Sequence, residues 1–430
     1  MVPLEKGSKK LLNAWAFYDW ANSVYSLVIA SAVFPIFYDV TFGKGTMVPI
    51  FGTAMKSTAL MSFTTAFAFL IVAFISPFLS GIADYAGNKK NFLKAFCYIG
   101  AIACIGLYWF NKENIYFSLF CYLLGLIGFW GSLVFYNSYL PDIAYPNQQD
   151  AVSAKGYSMG YIGSVILLVG VLAVLMSTPD EGKIAVMRWS FVSVGVWWIV
   201  FSQYTYLYLP KGSKTNKVTT SVLFNGFKEL RKVWVQMADN KTLKRYLSAF
   251  FVYSMAVQTV MLAATYFGAE EINWPTPEAK SSGLIISILL IQLIAVLGAF
   301  ITSRLSAKYG NIQTLIGINI VWAVICMCAY FVTEPVHFYA TAGFVGLVMG
   351  GIQSLSRSTY SKFLPETTDT ASYFSFYDVT EKIGIVIGML LYGAIDQAFG
   401  SMRYSVVFLT LFFIIGIALL TRVPKKPSVI

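Results

Sequence analysis

Asp378, Glu381 and Lys382 stand inside an apolar run near residues 371–395. On a helix, Asp378 reaches Glu381 at i+3 and Lys382 at i+4, so the three share one face. Two acids against one base leave one surplus negative charge, suited to taking up a proton or a small cation. Glu381 lies about ten residues, or ~15 Å, into the run. An uncompensated charge at that depth costs about 2.5–3.5 kcal/mol on insertion scales. The other reading is a closed salt bridge that only holds structure. A second polar set, Asp19, Asn22, Ser23 and Ser26, recurs at i, i+3, i+4 and i+7 in the first apolar run. It is either the wall of a wet cavity with a proton or cation site, or helix–helix glue and an end cap. Further candidates for lining a solute path are Tyr25, Tyr136, Asn137, Tyr157, Tyr161, Gln258, Gln353, Arg357 and Tyr377. The tyrosines serve equally well as packing or as an interface belt. Arg357, near the inner end of its run, can also snorkel to the interface.

Other chemistry finds little support. The five cysteines, Cys97, Cys104, Cys121, Cys326 and Cys328, fall in apolar runs and form no C-x-x-C. They read as buried membrane thiols rather than metal ligands or a disulfide framework. One histidine, His337, falls in an expected short loop and cannot build a His-based metal site alone. Neither a P-loop nor H-E-x-x-H, G-x-S-x-G or a zinc spacing occurs. No enzyme, cofactor or metal is therefore expected, and uphill work would draw on an ion or solute gradient.

The elements that position these residues are apolar helices. The 430 residues are 57% hydrophobic and 12% charged, with a mean hydropathy of +0.66. Soluble domains carry about 25% charged residues. Twelve runs of about 20 residues are each long enough to cross a bilayer. They lie near 14–38, 58–82, 91–110, 115–139, 152–176, 186–209, 245–268, 281–303, 312–332, 337–358, 371–395 and 403–423. The first carries Asp19 and Asn22 and is too long for a signal-peptide core, so it reads as a retained helix. The expected division is a six-helix bundle over 1–209, a linker over 210–244 and a second bundle over 245–430. In the linker, Leu223, Phe227, Leu230, Trp234 and Met237 share a helical face with Lys228, Arg231 and Lys232 interleaved. That pattern predicts an amphipathic helix on the inner membrane surface, or a partner-binding helix.

The net charge of +11 is a topology signal rather than a nucleic-acid footprint. With the N-terminus inside, 23 of the 31 Lys and Arg residues fall on the inner side and 7 on the outer. That asymmetry places both termini in the cytoplasm. The halves also repeat. Leu140-Pro141-Asp142 matches Leu364-Pro365-Glu366, Gly160 and Gly163 match Gly384 and Gly388, and Gly87 matches Gly310, at offsets of 223–225. Duplicated units of this kind build many transporters.

After the second run comes Ser80-Gly-Ile-Ala-Asp84-Tyr-Ala-Gly87-Asn-Lys89-Lys90. It resembles the loop motif of major facilitators. That likeness implies a conformational latch, with Asp84 accepting bonds from a helix N-terminus, Gly87 making the turn and Lys89 and Lys90 facing anionic lipid heads. The second half keeps Lys308 and Gly310 but has Ala307 in place of the acid. Four more segments narrow the likeness: Tyr18-Asp19-Trp20-Ala21-Asn22-Ser23, Phe135 to Asp142, Gly156 to Gly163, and Gly350 to Ser358. Together they resemble the vacuole-effluxer branch of the major facilitators, in its shorter bacterial form. The resemblance implies twelve helices in two bundles, alternating access, a bacterial cytoplasmic membrane and efflux of a small polar solute, amino acids first. Protons are a candidate co-substrate, the lipid bilayer is a partner, nucleic acid is not, and one chain is the expected working unit. The rival readings are an exporter of drugs or other metabolites and a sensor or scaffold that keeps the fold without transport.

Overall fold

The computed structural model describes residues 4–43, 46–50, 52–212 and 222–424, the side chains of 58 and 222–226 excepted. Thirteen long helices among them are numbered here in chain order. They are α1 (Lys9–Phe42), α2 (Ser57–Ala86), α3 (Lys89–Trp109), α4 (Ile115–Ile143), α5 (Pro146–Ser177) and α6 (Asp180–Tyr208). After them come α7 (Val222–Asp239), α8 (Lys241–Glu270), α9 (Pro277–Tyr309), α10 (Asn311–Ala329), α11 (Pro335–Phe363), α12 (Thr370–Phe399) and α13 (Met402–Leu420). All but α7 are long and apolar enough to span a membrane. In hydrocarbon a backbone must satisfy its own hydrogen bonds, and a helix does so within one segment.

Local chemistry sets the ends. Gly87 closes α2 at φ +66°, a left-handed conformation that suits glycine. Pro277 and Pro335 open α9 and α11, where a missing N–H costs nothing. Asn240, Thr276 and Ser401 cap α8, α9 and α13 through side-chain oxygens.

Several details depart from the expected pattern. The first helix runs well past 14–38, and residues Tyr25–Val33 within it are wound as a π-helix. Helix α5 starts at Pro146 rather than near 152. Between α1 and α2 stands an antiparallel hairpin of β1 (Met47–Ile50) and β2 (Thr53–Lys56), in register Met47 to Lys56. His337 belongs to the first turn of α11 rather than to a loop. All five cysteines are free. Four are buried, and Cys328 is exposed on α10.

The chain forms two compact units, Met1–Tyr139 with Met159–Phe227, and Leu140–Ser158 with Lys228–Ile430. The first turns of α5 thus group with the second unit. Equivalent close approaches recur in each. In the first unit Gly163 of α5 abuts the Trp20 ring and carbonyl of α1. In the second, Gly388 of α12 abuts Thr259 and Met255 of α8. A side chain at either glycine would separate its pair of helices.

Candidate functional site

The charged residues of α12 meet as their spacing demands. Lys382 Nζ donates to Asp378 Oδ1 at 2.8 Å and to Glu381 Oε2 at 3.3 Å. The lysine side chain is only 1% exposed, and Asp378 is buried. Glu381 Oε1 accepts a 2.8 Å bond from Gln258 Nε2 of α8. Asp378 Oδ2 is buried with no hydrogen-bond partner. One formal negative charge remains on the set, and one acceptor atom is unused. Beside it, Phe250 of α8 stacks on Tyr377 at 4.2 Å. Tyr246 and Tyr253, also on α8, bond to Ser356 of α11.

Arg357 of α11 does not snorkel. It is 2% exposed. Its Nε donates to Ser153 Oγ at 2.9 Å and its Nη2 to the Ser153 carbonyl at 3.0 Å. Its guanidinium lies 4.2 Å over the Tyr157 ring. Ser153 and Tyr157 belong to the part of α5 that groups with the second unit. Those early turns supply the acceptors and the ring face that keep this cation away from the interface. Gln353 is half-buried one turn before Arg357.

A further polar knot involves residues the sequence did not single out. Asp150 of α5 accepts bonds from Lys362 Nζ (2.6 Å), Ser306 Oγ (3.0 Å) and Asn311 Nδ2 (2.9 Å). Asn311 Nδ2 also reaches Thr359. The bonds tie α5, α9, α10 and α11 together within the second unit.

In the first unit, Asp19 Oδ2 accepts a 2.8 Å bond from the Tyr136 hydroxyl of α4. Trp15 Nε1 donates to the Tyr136 carbonyl and its ring stacks on Tyr136 at 4.5 Å. Asn22 is buried beside them, while Ser23 and Ser26 are half-buried. The stripe runs into the π-helical segment, which holds Ser26. π-turns concentrate at functional positions in helices. Tyr25 stacks on Phe129 and is buried, Tyr161 is buried, and Asn137 is half-buried.

The profile of the family described as "Vacuole effluxer Atg22 like" matches residues 7–428. The chain belongs to the vacuole effluxer family. It is similar to an uncharacterized MFS-type transporter of Bacillus subtilis, YxiO, at 30% identity over 97% of this chain and 95% of the relative. It is also similar to autophagy-related protein 22 of Saccharomyces cerevisiae, at 24% identity over 86% and 78% of the two chains. The crystal structure of the Escherichia coli fucose:proton symporter FucP superposes with a TM-score of 0.70 at 14% identity, covering 97% and 98%. The proton:xylose symporter XylE gives 0.69 at 13%, covering 97% and 96%. These likenesses show the major facilitator fold.

In the loop after α2 the lysines differ from their expected arrangement. Asp84 is buried. Lys89 and Lys90 do not reach for lipid: Lys89 Nζ donates to the Ser138 carbonyl and lies over the Tyr139 ring. Lys90 Nζ donates to the Leu209 carbonyl at 2.7 Å. Those carbonyls end helical segments of α4 and α6, where unpaired oxygens and the helix dipole attract cations. The motif's lysines therefore brace the first unit from within.

Proposed function

We propose that this chain is a secondary transporter that exports small polar organic solutes, amino acids first, by alternating access, coupled to proton movement. The observation that carries the reading is the set Asp378, Glu381, Lys382 and Gln258. Asp378 and Lys382 are buried and Glu381 and Gln258 half-buried; the set holds one surplus negative charge and leaves Asp378 Oδ2 unpartnered. Polar groups buried without partners are rare in folded proteins, and ionisable groups at such depth are functional by default. A proton or a solute ammonium neutralises the set at that atom. Lys382 holds both carboxylates in place meanwhile. Asp19, bonded to Tyr136, is the second candidate for a coupling acid. The bacterial relative supports a place in a bacterial cytoplasmic membrane, and the asymmetry of Lys and Arg supports cytoplasmic termini. The family's description as vacuole effluxers is what supports efflux.

The test is Glu381→Gln in proteoliposomes, with and without an imposed pH gradient. Glutamine keeps the hydrogen bond to Gln258 and mimics a permanently protonated acid. Exchange of solute at equal concentrations should persist, and uphill movement driven by the pH gradient should fall at least tenfold. Wild-type uphill transport in the variant would make Glu381 structural and leave Asp378 and Asp19 as the candidate coupling acids. No flux in the wild type against a broad solute panel would favour the sensor or scaffold reading.

A further inference from the structure

Helix α7 presents two unlike sides. Val233 and Met237 are buried and Leu230 is half-buried. Phe227, Trp234 and Val235, by contrast, are 60%, 59% and 52% exposed. Lys228 and Arg231 are exposed too, and the Lys232 side chain is 50% exposed. At 100° per residue these six side chains share one broad face, three apolar and three cationic. This departs from the single apolar stripe read from sequence, because Val233, not Phe227 or Trp234, is buried with Met237. The side chain of Leu223 lies outside the described residues.

The helix is also placed and tethered. Through the cap residue Asn240 it leads straight into α8, so it lies at the level where a membrane span begins. Three contacts join it to the first turns of α12. Lys232 Nζ donates to Asp369 Oδ2 at 2.8 Å. The Tyr373 hydroxyl donates to Gln236 Oε1 at 3.1 Å. Trp234 packs against Phe376 with ring centroids 5.5 Å apart. The Asp369 carboxylate, with Glu229, holds the Lys232 ammonium above its usual pKa, so it stays charged at neutral pH. Lys232 is shared between these carboxylates and the solvent.

We propose that the exposed face of α7 docks on anionic phospholipid headgroups, and that its contacts with Asp369, Tyr373 and Phe376 transmit lipid occupancy to α12. Charge complementarity selects the occupant. Lys228, Arg231 and Lys232 match phosphodiesters, while Phe227, Trp234 and Val235 enter the boundary between headgroups and chains. A lipid phosphate competes with Asp369 for Lys232. Occupancy therefore loosens the tie on the helix that carries Asp378, Glu381 and Lys382. The docking claim stands whether or not those residues couple transport, since its test uses no transport assay.

The full chain carries Val235→Cys, with exposed Cys328→Ser, and a nitroxide label. It is placed singly in nanodiscs of phosphatidylcholine, or of phosphatidylcholine with phosphatidylglycerol. Collision with oxygen against a nickel chelate reports the depth of the label. Hydrogen exchange reports on residues 364–378. Anionic lipid should move the label from water into the headgroup boundary and speed exchange at the start of α12. Lys228→Gln with Arg231→Gln should weaken that response about fivefold per cation removed. Asp369→Asn should keep the docking and abolish the lipid-dependent change in α12. Equal label depth in both lipids overturns the docking. A depth change that needs two copies per disc assigns the face to a second chain and overturns it as well. Docking without any change in α12 overturns the transmission.

Discussion

Asp150 gathers a lysine, a serine and an asparagine onto two oxygens. Removing one member of a buried ion pair costs about 3–5 kcal/mol when the survivor is fully buried. Lys362 keeps some contact with water, its side chain being 19% exposed. Asp150→Asn should therefore cost about 2–3 kcal/mol, seen as a lower thermal unfolding midpoint in detergent. Adding Lys362→Met should recover part of that loss, and a purely additive double variant would show that the pair is not coupled. Sequence alone hid this knot. The segment Pro146-Asn-Gln-Gln-Asp150 is too polar to resemble a span, so Asp150 reads as loop. Its partners lie more than 150 positions away. Asp378 and Lys382 were legible because both are on one helix, four residues apart. The bond from Gln258 to Glu381 crosses 123 positions, and no local spacing encodes it. Arg357 misled for the same reason: its depth within the run is visible, but the α5 segment that buries it is not.

At the level of elements, α9 and α11 approach until backbone meets backbone. Gly346 and Gly350 of α11 lie against the backbone of Ile291 and Ala295, and Gly298 of α9 lies against Leu347. Without a hydrophobic drive between helices in lipid, such small residues allow the close packing that holds them together. Gly350→Val should overpack the pair and cost about 1–3 kcal/mol. The control is Gly317→Ala on α10, where an added Cβ meets nothing within 4 Å. It should be neutral or slightly stabilising, since glycine inside a helix is the poorer former. Equal midpoints for both variants would remove the packing argument. The spans themselves were legible from length and apolarity. The π-helical Tyr25–Val33 and the hairpin over Met47–Lys56 were not. A π-turn leaves no compositional mark, and a four-residue strand has no periodicity to read.

For the molecule as a whole, twelve spans and the distribution of Lys and Arg predict which loops share a side. Cysteines placed at Lys183 and Lys280 should react with an impermeant maleimide from outside intact cells. One placed at Lys211 should react only after the membrane is opened. The position Lys214, an equivalent choice by sequence, lies outside the described residues, and Lys362 is engaged by Asp150. Cys328→Ser removes the one exposed native thiol, so the remaining four, being buried, leave a quiet background. The opposite labelling pattern would invert the expected orientation. The surplus charge of the α12 cluster also bears on energetics at this scale. One elementary charge crossing the full field is worth about 2.3 kcal/mol per 100 mV. On the proposed cycle the cluster is neutral when loaded and negative when empty. Voltage then acts on the unloaded return stroke and leaves the loaded stroke untouched. The electrical and chemical parts of an ion gradient would thus drive different halves of the same turnover.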